Sequence, residues 1–338
     1  MQDEYGLNDI DKRKLSFLYH NSAIDQRYSV FEDFSLPSEQ RSFFTAGDHS
    51  QRSLECRSTL YNKEAPLLAI TAIQRCIDGI ISPGEITHLV TVSCTGMSAP
   101  GLDLAIVEAL NMKSNIFRTS VNFMGCYAAI HALKLADMIC KTETKARVLI
   151  VSIELCTLHF QNGYTPDNAA SSLLFADGCA AVLLSNEAAF TPVASIDSFY
   201  SEVAFKGKNE MSWQLGSTGF LMTLSGYVPQ IIQEDIQGLV QTALNRNGLV
   251  QEDIDYWCVH PGGRKILDAI AQQLQLVEDA LHYSRAILRK YGNMSSPTIL
   301  FVLQAMIAQR AHKTGAGNVF GIAFGPGLTM ETFKATLL

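Results

Sequence analysis

No stretch of this 338-residue chain reaches the ~18–20 apolar residues that a membrane-crossing helix requires. Its opening, MQDEYGLNDI, is acidic rather than signal-like. Both absences point to a protein of the cytoplasm with no membrane partner. Basic residues are outnumbered, 26 against 33 acids, for a net charge of −7. The short run Lys12-Arg13-Lys14 is no basic face, so nucleic acid is excluded as a partner. Cysteine is plentiful but paired cysteine is missing. None of Cys56, Cys76, Cys94, Cys126, Cys140, Cys156, Cys179 and Cys258 stands in a C-x-x-C pair, which argues against zinc or any other metal and against a disulfide framework. Most sit in apolar runs such as LVTVSC and DYWCVH and read as small buried residues. Low-complexity and linker-like stretches are also lacking. What remains, 47% hydrophobic and 17% charged, is a globular composition long enough for two domains or one large α/β unit.

Strand and helix patterns alternate along the chain. THLVTVSC (87–94) is rich in β-branched residues and precedes the helical LDLAIVEALNM. IFRTSVNF (116–123) alternates and runs through MGC into YAAIHALKLADMIC, while RVLIVSIE (147–154) reads as a strand buried on both faces. SSLLFADGCAAVLLSNE suggests a short turn and another buried strand. Later, PQIIQEDIQGLVQTALNRNG is an amphipathic helix closed by Gly248. DYWCVH (255–260) is a strand, RKILDAIAQQLQL a helix, and SPTILFVLQAMIAQRAHKTG a helix with a basic last turn. NVFGIAFGPGLTMETFKATL gives two strands joined by Gly-Pro-Gly. The expectation is an α/β fold of two similar halves, 1–190 and 191–338, with helices covering the sheets.

Ligands of open α/β sheets gather beyond the carboxyl ends of strands. Three reactive side chains fall at such places. Cys126 follows the strand at 116–123 and begins a helix, where unpaired N–H groups and the helix dipole favour thiolate. Gly125 before it permits a tight turn. His260 ends a strand before Pro261-Gly262-Gly263, and Asn293 lies in YGNMSSP before a helix. Taken singly, each is also an ordinary core or turn residue. As a set they supply a nucleophile, a base and an amide donor.

The surrounding motifs resemble those of the type III polyketide synthases, the chalcone and stilbene synthase-like members of the thiolase superfamily. They are VNFMGCYAAIHAL around Cys126, SSLLFADGCAAV around Phe175, WCVHPGGRKIL around His260, YGNMSSPTILFVL around Asn293 and GIAFGPGLTMET at 321–332. CTGMSAPGLDL (94–104) and LYHNSAIDQRYSVFEDF (18–34) also fit, so the likeness spans nearly the whole chain. There are departures. Ala323 replaces a usual glycine in the closing loop, and Ala99 stands where plant members carry a methionine that reaches toward the partner subunit.

The resemblance implies a thiolase-like five-layered αβαβα fold, a homodimer, and a buried cavity reached by acyl-CoA and malonyl-CoA, which are substrates; no cofactor is expected. It implies that Cys126 accepts the acyl group and that His260 and Asn293 bind the thioester carbonyl of malonyl-CoA and promote its decarboxylation. Phe175 matches the gatekeeper between tunnel and cavity. Cys94, His159, Trp213 and Met222 match cavity-lining positions, with Ser295 beside Asn293. Lys14 matches a lysine that holds CoA phosphate, but the other two basic positions of that cluster are Phe17 and Asn21 here, so Arg264 and Lys265 are candidates to replace them. The expected activity is iterative condensation followed by cyclisation to a pyrone, resorcinol or related aromatic product. A single condensation of the β-ketoacyl-ACP synthase III kind is the second reading.

Overall fold

The computed structural model describes residues 6–44, 52–310 and 315–338. The basic turn expected after Arg310 and the acidic residues 1–5 lie outside them. In chain order the main elements are α1 (Asp9–His20), α2 (Leu54–Ile77), β1 (His88–Ser93), α3 (Leu102–Ala109), β2 (Phe117–Asn122), α4 (Ala128–Thr142), β3 (Arg147–Leu155), α5 (Pro166–Leu174) and β4 (Asp177–Ser185). Then come β5 (Ala194–Val203), β6 (Met211–Gly216), β7 (Gly219–Leu224), α6 (Val228–Asn245), β8 (Tyr256–Val259), α7 (Arg264–Gln273), α8 (His282–Tyr291), α9 (Thr298–Arg310), β9 (Gly317–Gly325) and β10 (Thr329–Leu337).

Two four-stranded sheets form, in the orders β2-β1-β3-β4 and β5-β10-β9-β8. In the first, β2, β1 and β3 run parallel and β4 closes the sheet antiparallel; in the second, β8 at one edge runs parallel to β9, and β10 lies antiparallel to both β9 and β5. The layers follow from which apolar faces meet. α4 and α9 carry buried residues on several sides, among them Ala128, Ile130, Leu133, Ile299, Val302 and Met306, and share one core with both sheets. The space between two sheets covers those sides of both helices. α2 places Tyr61, Ala65, Ala69, Ile73 and Ile77 on one stripe against the outer face of the first sheet. α6 and α7 do the same for the second sheet through Ile232, Ile236, Ile266 and Ile270. The result is the αβαβα stack that the sequence motifs imply.

Two local expectations change. Residues 166–174 are a helix, not a turn, because Thr165 caps it through the Asn168 N–H at 3.0 Å and Pro166 takes the first turn. β4 is half-buried rather than buried, since it ends its sheet. The hairpin of β6 and β7 stands apart from both sheets and pairs Trp213 with Met222.

Candidate active site

Strand ends deliver the reactive groups. β2 leads through Phe123–Gly125 to Cys126, and α4 starts two residues later. Gly125 has φ of 90°, and a Cβ there would lie 2.5 Å from Cδ of Pro326, so glycine alone fits the turn. β8 is followed directly by His260, whose N–H donates to the Ile322 carbonyl at 2.8 Å. Asn293 lies between α8 and α9, tied across to α5: its N–H donates to Leu174 O and its carbonyl accepts from Ala176 N–H, both at 2.9 Å. That bridge puts Phe175 beside Asn293.

Cys126, His260, Asn293 and Phe175 line one small recess of about 20 Å³, with Met211, Met222 and Gly262. Cys126, Phe175, Met211 and Met222 also line a larger cavity of about 410 Å³. The cavity wall includes Cys94, His159, Trp213 and Ser295, so all the expected cavity residues do border it. None of Lys14, Arg264 and Lys265 does. Lys14 pairs with Asp11 at 2.9 Å on exposed α1. Arg264 Nη1 reaches the Asn21 carbonyl at 3.5 Å, which places the start of α7 beside the end of α1, and Lys265 is exposed.

The electrostatics differ in two ways from the sequence expectation. The Cys126 thiol donates to Ser295 Oγ at 3.6 Å and not to His260; neither His260 ring nitrogen has a hydrogen-bond partner. Burial pushes the thiol up to about 11, and Ser295 and Asn293 only partly offset it. Cys126 sits one residue outside the N-cap Tyr127, and the desolvation of a buried anion outweighs the helix field there. Burial likewise depresses His260 to about 3, so its ring is neutral at pH 7. The Asn293 side-chain oxygen accepts from Ser295 N–H at 2.8 Å, which leaves the amide N–H₂ as the end that faces the Cys126 thiol.

The far wall is fixed by donors to backbone. Trp213 Nε1–H donates to Cys94 O at 2.7 Å. His159 bonds Thr95 O through Nε2 at 2.8 Å and accepts from Phe220 N–H at Nδ1, 3.1 Å. Its ring stacks on Phe220 at 4.3 Å, and burial lowers it to about 4, so it too is neutral. Behind Cys94 lies buried Glu154, held by Cys94 N–H, Thr95 Oγ1 and Ser296 Oγ at 2.6–2.8 Å and pushed by burial up to about 7. Met211, Phe220 and Glu154 are additions to the sequence reading. Period-2 alternation signals the first two, since Met211 and Trp213, or Phe220 and Met222, share a strand face. All eight cysteines are free, and among the described residues no group of three His, Cys, Asp or Glu could hold a metal ion.

The family model for chalcone and stilbene synthases, N-terminal domain, matches residues 7–188, and the one for their C-terminal domain matches residues 197–336. The chain is 32% identical over 280 residues to "Alpha-pyrone synthesis polyketide synthase-like Pks18" of Mycobacterium tuberculosis, covering 81% of this chain and 71% of that protein. PKS-I from the brown alga Ectocarpus siliculosus superposes with a TM-score of 0.91 at 28% identity, over 98% of this chain and 90% of that one. The C-terminal type III polyketide synthase domain of Steely1, a type I/III hybrid from Dictyostelium, gives 0.90 at 26% identity, over 99% and 92%.

Proposed function

Since this chain belongs to the chalcone and stilbene synthase family, the type III polyketide synthases, we propose that Cys126 is its acyl acceptor. Members are enzymes of decarboxylative condensation that use acyl-CoA and malonyl-CoA. The observation that carries the assignment is the meeting of Cys126, His260, Asn293 and Phe175 in one recess that shares its wall with the cavity. A single condensation of the ketoacyl-ACP synthase III kind is not favoured, because family models match both halves.

In loading, Cys126 Sγ attacks the starter's thioester carbonyl as neutral His260 takes the thiol proton, and CoA leaves with that proton. Malonyl-CoA then loses its carboxylate as CO₂, and the electron pair moves onto the thioester oxygen. The His260 ring N–H and the Asn293 amide N–H aim at that oxygen; losing one such donor typically costs ~10²–10³-fold. The enolate carbon attacks the acyl group on Cys126, and Sγ departs. Repeated loading lengthens the chain until an enol oxygen closes on the thioester carbonyl, the C–S bond breaks, the thiol leaves with the enol proton, and an α-pyrone is released, the product class named for the Mycobacterium relative. Lys14, in the middle of α1, and Arg264 and Lys265, at the start of α7, are the proposed contacts for CoA phosphates. No cofactor enters these steps. The free edge of β2 is the proposed homodimer contact.

The test separates loading from decarboxylation. Intact mass after incubation with an acyl-CoA should show one adduct, absent in Cys126→Ala. Cys126→Ala should still release CO₂ from malonyl-CoA, while Asn293→Ala should lose ~10²-fold or more of that rate. Equal loss in both variants, or an adduct that persists without Cys126, would refute the division of roles. Mass spectrometry of products from a panel of short, long and aromatic starters identifies the starter and the ring closure.

A further inference from the structure

Helix α5 ends at the Phe175 gate, and its last carbonyls need partners from outside the helix. Phe175 N–H takes the Ser171 carbonyl, and Asn293 N–H takes that of Leu174 at 2.9 Å. Two further carbonyls, of Ser172 and Phe175, both accept from Nη1 of Arg27, the latter at 3.3 Å. A guanidinium at a helix C-terminus is favoured by the dipole, and its charge strengthens each bond.

Arg27 belongs to segment 24–30, which follows α1 and borders the cavity. That segment is fastened at both ends. Asp25 and Gln26 donate to Arg289 O at 2.8 and 3.3 Å, and Val30 N–H donates to the Asp177 carboxylate at 2.9 Å. The stem of Arg27 lies over Gly292, the residue before Asn293. A Cβ on Gly292 would come within 2.8 Å of Arg27 Cγ and 3.1 Å of Leu174 O. One side chain therefore braces the backbone on both sides of the Phe175–Asn293 bridge.

We propose that Arg27 is a positioning residue: its guanidinium caps α5 and its stem braces Gly292, so that the gate and the Asn293 amide move as one unit. The proposal rests on the reading of Asn293 as a donor to the malonyl enolate. An amide displaced by ~1 Å loses much of its hold on that charge, a change that costs rate on the order of 10²-fold. Cys126 lies on a different turn, so loading is independent of the brace.

The test compares Arg27→Met and Arg27→Lys with the parent chain in three measurements: CO₂ release from malonyl-CoA, acylation of Cys126 by intact mass, and thermal midpoint. Arg27→Met should lower kcat for decarboxylation about 10- to 100-fold while KM for malonyl-CoA and Cys126 acylation stay within about 3-fold. Arg27→Lys, which keeps the charge at the helix end, should recover part of kcat. If Arg27→Met does not fold, Arg27→Gln is judged by the same criteria. A kcat within about 2-fold of the parent, beside an inactive Asn293→Ala, overturns the proposal alone. Decarboxylation, acylation and thermal midpoint falling together in each variant overturns it too. Asn293→Ala as active as the parent overturns the reading of Asn293 and the proposal with it.

Discussion

The Cys126 thiol is buried against Ser295, and its proton is held more firmly than in an exposed cysteine. At pH 7 nearly all of it is thiol, so reactivity depends on proton removal during attack rather than on a standing thiolate. Neutral His260 in the same recess has an unpartnered ring nitrogen that can take that proton. The pH dependence follows. Alkylation of Cys126 by iodoacetamide should rise about tenfold per pH unit from pH 7 to about 10, because the thiolate fraction does. Peptide mapping across that range measures it, and preincubation with a starter acyl-CoA should protect Cys126 specifically. A plateau reached below pH 8 would show a preformed thiolate–imidazolium pair and refute the neutral resting state.

At the scale of elements, the hairpin of β6 and β7 decides the size of the cavity. Trp213 is fixed by its bond to Cys94 O and stands edge-on to His159 and Phe220, with centroids at 5.9 Å. A wall anchored to backbone on both sides does not yield to a larger occupant. Trp213→Ala, which keeps a strand residue that glycine would loosen, should therefore admit bulkier starters or further malonyl extensions and raise the mass of the main product. An unchanged profile at normal turnover would show that the indole does not border the growing chain. The same hairpin shows what is legible in sequence. Trp213 and Met222 are legible by resemblance; their strands are not, because short, half-buried runs such as MSWQLG carry too few turns of alternation to stand out. Buried strands such as 147–154 announce themselves by continuous apolar residues. Helix α5 hid because Asn168, Ser171 and Ser172 face the cavity and interrupt its apolar stripe. The rise in Cys126 acidity expected from its place before α4 is a local argument, and it loses to burial created by distant segments.

Over the whole molecule, the two sheets leave their ends in different conditions. β4 is covered along its face by α2, but β2, at the other end of the first sheet, has most of its residues exposed. Phe117 is 66% exposed on its outer strand and stacks on His88, at 5.0 Å. Met97 and Leu104 nearby are about two-fifths exposed, at 41% and 40%. An unpaired edge of this length with apolar side chains is a template for another strand, and natural proteins cover or charge such edges when they are to remain free. Here the only charge along it is Arg118, already paired with Asp103. A second copy placed antiparallel against β2 would satisfy the edge, join the two first sheets into one, and bury Phe117, in a closed twofold contact. Light scattering should thus give a particle of about twice 37.1 kDa at micromolar concentration. Phe117→Asp, which puts a like charge on both copies across the axis, should shift it to the monomer while the fold, read by circular dichroism, persists. A parent chain that stays monomeric at those concentrations, or a Phe117→Asp variant that remains fully dimeric, would move the contact away from β2.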